Sequence, residues 1–191
     1  MREITKLDLS PDYSILQIYN ANLEDDYVYH LVTDQTVDQG FSGFFESYNF
    51  YSLGDCLNLI IEVWLADEQE GIVLRSDTVR ALMVPFSSSG SGIKIANCGR
   101  SSKHLVQIPS GQYALVFEIK LRNDNEYLNS EEYQSNVAGG FSQECCYLTF
   151  YPRAEPVQPE ILRLDAWSAP PYSLQGYGQL NPTYPLMMRE V

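Results

Sequence analysis

The sequence predicts an all-β protein, an antiparallel β-sandwich with little helix and a proline-rich C-terminal extension. Apolar and polar side chains alternate with a period of two along several short segments, as in strands with one buried face. Turn-forming Gly, Pro, Asn and Ser residues separate these segments. Aromatic residues make up 13 % of the chain, mostly as 14 tyrosines and 8 phenylalanines, and they favour strands.

Seven segments have the strand pattern. They are, in chain order, residues 13–19, 47–53, 57–65, 78–86, 103–108, 112–122 and 145–151. Residues 87–92 predict a turn, after which another strand begins at Ile93. Pro85 should mark the end of its strand or an edge position, because proline cannot donate to a ladder. The connector Pro109-Ser110-Gly111 predicts a hairpin, since it supplies a preset φ and a residue that tolerates positive φ.

Helix is expected to be scarce. Residues 33–40 predict one short helix, with Thr33 or Asp34 as its N-cap and Gly40 just past its end. Phe41 should then re-enter the core. Residues 123–136 are polar and acidic, which is typical of a solvated loop with at most one helical turn.

The chain of 191 residues predicts one domain with an appended segment. We place the sandwich at residues 1–151 and a proline-rich extension, which wraps on the domain, at residues 152–191. The N-terminus lacks the apolar region of a signal peptide, and no apolar run approaches the ~20 residues of a spanning helix. The four cysteines form no metal or disulfide pattern. These features predict a cytoplasmic protein with reduced thiols.

Charge is segregated along the chain. Between Leu7 and Leu74 there are 13 carboxylates and no lysine or arginine, while the other residues are balanced, so this block carries the whole net charge of −13. Such a field repels nucleic acid and anionic membranes, and it speeds association with a basic protein partner. The block therefore predicts a basic protein as partner, and neither nucleic acid nor membrane.

Two dense clusters within this block are the candidate partner-binding residues. The acidic members are Glu24, Asp25, Asp26, Asp67, Glu68 and Glu70, and the neighbouring candidate anchors are Tyr27, Tyr29 and Tyr48. Exposed loops can present several carboxylates without burying any, and tyrosine makes contact area with few frozen rotors. The structural alternative is a solvated acidic surface that maintains solubility, with the tyrosines in the core.

Catalytic and metal-binding patterns are missing from the sequence. There is no Gly-x-Ser-x-Gly elbow, His-x-x-x-His pair or phosphate-binding loop, and His30 and His104 are the only histidines. No Asp-x-Asp-x-Asp-Gly run suggests a calcium loop. We therefore expect no enzyme, no metal and no cofactor. The alternatives are a carbohydrate- or ligand-binding sandwich module, with calcium as a candidate ligand, and a structural subunit of a larger assembly.

Four stretches in order resemble the competence protein J family, which comprises a DNA-entry nuclease inhibitor and related immunity proteins. They are residues 13–19, residues 33–41, residues 84–86 with 92–95, and residues 108–115. Val32 stands where that family usually has tryptophan. The motif residues Thr33, Asp34, Gly40, Phe41, Pro109, Gly111 and Tyr113 have the character of structural positions.

The resemblance implies an antiparallel sandwich that binds and silences a nuclease or another toxin. Combined with the charge pattern, it predicts a protein inhibitor of the immunity type that masks a basic nuclease or toxin through its acidic loops.

Overall fold

The computed structural model describes residues 1–10, 14–23, 34–44, 46–53, 56–99, 101–123, 125–139 and 142–163. Within these residues the chain forms β1 (Arg2–Leu9), β2 (Ile15–Asn20), α1 (Asp34–Gln39), β3 (Phe41–Phe44), β4 (Ser47–Tyr51), β5 (Cys56–Leu65), β6 (Arg80–Ser88), β7 (Ile93–Asn97), β8 (Lys103–Val106), β9 (Gly111–Leu121), α2 (Asn125–Leu128), α3 (Glu131–Gly139), β10 (Ser142–Arg153) and β11 (Glu160–Arg163).

The strands form two sheets. One has six strands in the order β1-β5-β10-β9-β6-β11, and the other has five in the order β3-β4-β2-β7-β8. Neighbours are antiparallel except β5 and β10, which run parallel with Leu59 opposite Glu144 and Leu65 opposite Phe150. The predicted antiparallel sandwich is therefore confirmed, with one parallel pair between the second and third strands of the larger sheet.

The core lies between the two sheets because alternate side chains of each strand point inward. On β5 the inward residues are Leu59, Ile61 and Val63, all at most 1 % exposed. The rings of Phe50 on β4 and Phe117 on β9 stack across the interface with centroids 4.4 Å apart. Each such side chain contributes about 1.5–3 kcal/mol by burial. This alternation is the physical basis of the predicted fold class.

The strand register places the loops at two opposite ends. We call the end where β5 stops at Leu65 the upper end; β2, β6 and β10 also stop there. Asn20 ties the two sheets together at this end, since its Nδ2 donates to the carbonyl of Ser87 at 2.7 Å. The opposite, lower end carries α1, α2 and α3.

The predicted hairpin around Pro109 is wrong. β8 belongs to the five-stranded sheet and β9 to the six-stranded sheet, so the connector carries the chain from one sheet to the other. Ile108 is 1 % exposed in the core, and Tyr113 Oη donates to the carbonyl of Pro109 at 3.0 Å. The turn residues were recognised correctly, but a turn pattern does not specify which sheet receives the next strand.

Several elements differ from expectation. Residues 123–136, predicted as a loop with at most one helical turn, contain α2 and most of α3. β6 continues past its predicted end to Ser88, while the predicted edge position of Pro85 is confirmed, because β11 pairs only as far as Met83. β1 was not predicted, because four of its eight residues are charged and its apolar side chains Ile4 and Leu7 are only half-buried. It forms a long antiparallel edge with β5.

The region after α1 follows the prediction. α1 spans Asp34–Gln39, Gly40 has φ of +85°, and Phe41 is 1 % exposed. Gly43, on β3, has φ of +145°, and a Cβ there would lie 2.3 Å from the carbonyl oxygen of Ser47. Only glycine permits this close approach of the two chains.

Residues 66–79, which we call the strap, cross the outer face of the six-stranded sheet. Ile72 and Leu74 of the strap pack with Val157 and Leu162 against a buried cluster on that face. The cluster consists of Ala66, Met83, Ala114, Val116 and Tyr151. No helix in the described ranges is long and apolar enough to span a membrane.

Candidate partner-binding surface

Of the two predicted acidic clusters, the one at residues 67–70 lies at the upper end. Asp67, Glu68 and Glu70 open the strap directly after β5. Leu23, which packs against Tyr19 and Ala96, is the last described residue before the other cluster. The predicted residues Glu24, Asp25, Asp26, Tyr27, Tyr29 and Thr33 lie outside the described residues.

The strap cluster is partly neutralised within the chain. The Met1 ammonium lies 3.0 Å from Asp67 Oδ2 and 3.0 Å from Glu70 Oε2. These contacts raise the pKa of the ammonium and lower that of Glu70. Glu68 makes no ion pair or hydrogen bond within the described ranges and is exposed. It is therefore the member of the strap cluster whose charge no described residue neutralises.

A third acidic residue of the block is also paired. Lys6 of β1 donates to Glu62 of β5 at 3.0 Å, and the pairing raises the pKa of Lys6. β1 and the N-terminus that precedes it thus supply cations to a stretch of sequence that has no lysine or arginine of its own. The block is acidic in sequence, but folding brings positive charge onto part of it.

A groove of about 360 Å³ opens beside Glu68. The described residues that line it are Glu68, Pro152, Arg153 and Ala154, where β10 ends. Arg153 Nη1 donates to the carbonyl of Pro152 at 2.8 Å, and its guanidinium carbon lies 5.6 Å from the centroid of the Tyr151 ring. The described lining of the groove therefore has one carboxylate without an ion pair among the described residues, one cation engaged with its own chain, and an apolar wall.

The second half of the strap is anchored by a buried carboxylate. Glu118 alternates on β9 with core residues, so it points to the outer face, where it is 1 % exposed. Arg75 donates to it from Nη1 at 2.6 Å and from its backbone nitrogen at 2.9 Å, and Thr78 Oγ1 donates at 2.6 Å. The Arg75 guanidinium carbon lies 3.8 Å from the centroid of the Tyr147 ring. Three hydrogen bonds compensate the burial of this charge.

Two further contacts hold the same half. Lys120 Nζ donates to Asp77 Oδ2 at 2.8 Å, which raises the pKa of Lys120 and lowers that of Asp77. Arg163 of β11 donates to the carbonyls of Thr78 at 2.6 Å and Arg75 at 3.2 Å. The pairing of Arg75 with Glu118 was not predicted from the sequence, since the two residues are 43 positions apart and neither lies in a motif.

The remaining predicted residues lie in the scaffold or in the core. Tyr48 is fully buried between the sheets, and its Oη donates to the carbonyl of Pro85 at 2.8 Å, so the proposal that it anchors a partner is wrong. Gly111 begins β9, and Tyr113 is 4 % exposed with a pKa raised by burial. Among the described residues, no three His, Cys, Asp or Glu side chains are grouped so as to hold a metal ion.

Comparison with known proteins adds two findings. A family model described as Competence protein J (ComJ) matches residues 8–143, well over half of the chain. A solved structure of ComJ from Bacillus subtilis, described as the inhibitor of the DNA degrading activity of NucA, is similar over 78 % of this chain and 97 % of that chain. The two share 15 % sequence identity with a TM-score of 0.56, so the likeness is one of fold.

A solved structure described as Crocagin biosynthetic gene J is similar over 80 % of this chain and 99 % of that chain, with 13 % identity and a TM-score of 0.43. No curated protein sequence matches this chain.

Proposed function

Because this chain belongs to the competence protein J family, we propose that it is a protein inhibitor of a nuclease, of the immunity type, rather than an enzyme. The observation that carries this proposal is the family match, together with the fold shared over 97 % of a protein described as an inhibitor of DNA degradation. Fold alone does not define function, so the family match has the greater weight.

The mechanism we propose is electrostatic masking. A nuclease that grips DNA presents a basic surface, and an inhibitor can occupy that surface with carboxylates in place of phosphates. The net charge of −13 supports this idea, as does the exposure of Glu68 at the upper end. Residues 24–26 follow Leu23 directly, and we propose that they join this surface, with Tyr27 and Tyr29 as its apolar anchors.

The buried carboxylates support binding rather than catalysis. Glu118 is occupied by Arg75 and Thr78. Glu144, which is fully buried, accepts from the backbone nitrogen of Leu53 at 3.1 Å. Both therefore stabilise the fold, whereas a general acid or base must reach a substrate.

The test is an inhibition titration with the host's own nuclease. The protein is immobilised, host extract is loaded at low salt, and bound protein is eluted with a salt gradient and assayed for DNA degradation. We expect a basic nuclease whose activity falls to zero as the free protein reaches stoichiometric amounts. A captured nuclease that keeps its activity in excess protein would refute the inhibitor role.

Salt dependence tests the masking mechanism separately. The inhibition constant should rise steeply with ionic strength, because exposed charges more than ~10 Å apart are screened at about 0.1 M salt. Inhibition that does not change with salt would retain the inhibitor role and eliminate acidic masking as its cause.

A further inference from the structure

We infer that the groove beside Glu68 is the subsite that receives one basic side chain, a lysine or an arginine, of the inhibited nuclease. This inference rests on the function proposed above and specifies one of its contacts. The groove lies at the upper end, and its volume of about 360 Å³ leaves room for a long side chain.

Glu68 carries a charge that no described residue neutralises. Its neighbours Asp67 and Glu70 both contact the Met1 ammonium at 3.0 Å, but Glu68 has no such contact within the described part of the chain. A partner cation would thus gain a charge-assisted hydrogen bond without first displacing an internal one.

The rest of the described groove wall is formed by Pro152, Arg153 and Ala154. Pro152 and Ala154 offer apolar surface on which the methylene stem of a lysine or arginine can lie while its charged head reaches Glu68. Arg153 is directed to the Pro152 carbonyl at 2.8 Å and forms no ion pair with Glu68 among the described contacts. Its positive charge opposes the incoming cation, so removing it should strengthen binding.

Backbone hydrogen bonds hold the strap on both sides of Glu68. Ala66 donates its backbone N–H to the carbonyl of Phe150 at 3.0 Å, and Glu70 donates to that of Asp67 at 3.0 Å. Further along, Arg75 is held by Glu118. A carboxylate on such a fixed segment loses little conformational freedom on binding, which favours affinity.

The experiment measures binding of the captured nuclease to charge-neutralising variants at low salt. Glu68→Gln should weaken binding by about threefold to tenfold, chiefly through slower association. Arg153→Gln should strengthen binding by about twofold to fivefold. The matched control is Glu131→Gln, an exposed position on α3 at the lower end, which should change affinity by less than about twofold.

The two groove variants should change affinity in opposite directions, and this makes the inference falsifiable. If Arg153→Gln weakens binding while Glu68→Gln leaves it unchanged, the occupant is acidic and the inference is overturned. If both variants behave as Glu131→Gln does, the groove is not a contact. Melting curves should be unchanged, because Glu68 is exposed and the described side-chain contacts of Arg153 are with Pro152 and Tyr151 of its own strand end. Failure of the proposed function appears separately, as wild-type protein that does not inhibit.

Discussion

Ion pairs hold both halves of the strap, but the two pairs differ in their exposure to solvent. In the first half Asp67, which pairs with the Met1 ammonium, is 86 % exposed. In the second half Arg75 pairs with Glu118 of β9, which is 1 % exposed. An exposed pair contributes little and is screened by salt. A buried pair becomes costly when one partner is removed, because the other charge remains desolvated. The carboxylates of the first half can therefore exchange partners although their backbone is held, whereas the ion pair of the second half is fixed.

The largest expected effect comes from breaking the fixed half. Glu118→Gln leaves the Arg75 guanidinium without a counter-charge beside Tyr147, so the free energy of unfolding should fall by about 3 kcal/mol. Urea denaturation at neutral pH measures this change. A fall of less than about 1 kcal/mol would show that solvent reaches the pair and that the contrast between the two halves is false.

The matched control replaces both charges. The double variant Arg75→Met with Glu118→Leu should recover much of the stability lost in Glu118→Gln, because no desolvated charge remains. Arg75→Met alone completes the comparison, and the non-additivity of the variants reports the coupling between the two residues.

The effect of a buried hydroxyl under the strap on stability should depend on whether it has a hydrogen-bond partner. Thr149 is fully buried, and its Oγ1 makes no hydrogen bond within the described residues, as is also true of the nearby Trp64 Nε1. Thr149→Val should therefore raise stability by up to about 1 kcal/mol, seen as a melting temperature about 2–4 °C higher.

Thr78→Val is the control for that prediction. Its hydroxyl donates to Glu118 at 2.6 Å, so the same chemical change there should lower the melting temperature. If both variants shifted the melting temperature in the same direction, hydrogen bonding would not be what distinguishes these two buried hydroxyls.

A smaller effect is expected at the exposed margin of the fixed half. Asp77 is 44 % exposed, and its pKa is lowered by Lys120, so the pair stabilises the fold above the usual pKa of 3.8 and this contribution is lost as pH falls through the lowered value. Asp77→Asn should cost about 0.2–1 kcal/mol at pH 7. The difference from wild type should vanish in acid, as followed by denaturation at stepwise lower pH.

The smallest effect on stability should come from the exchangeable half. Asp67→Asn with Glu70→Gln should leave the melting temperature unchanged within error, because both carboxylates face solvent. Association with the nuclease at low salt should become slower. A melting temperature lowered as much as by Asp77→Asn would instead make this half a structural anchor.

Local patterns in the sequence predicted those structural features that depend on residues close together in the chain. The alternation in β5 and the helix that ends before Gly40 are both in the structure. Pairings between distant residues were not predictable in this way. Nothing near Pro109 reveals that the next strand joins the other sheet, and nothing near Arg75 identifies Glu118 as its partner.

The candidate site shows the same limit. The acidic block was evident from composition, but only the fold brings Lys6 of β1 to Glu62 and the Met1 ammonium to Asp67 with Glu70. Sequence order alone therefore overstated the charge available to a partner. The prediction that Glu68 lies exposed on a loop after β5 is confirmed, and its contact with a partner stays a prediction.

The parallel pair of β5 and β10 determines where the folding unit ends. The family match stops at residue 143, the second residue of β10, yet this strand runs to Arg153 between β5 and β9. A fragment trimmed to the matched range would lose the middle of the larger sheet and leave two unpaired strand borders prone to aggregation. The cooperative unit thus extends beyond what family similarity detects, and any shortened version should keep at least β10.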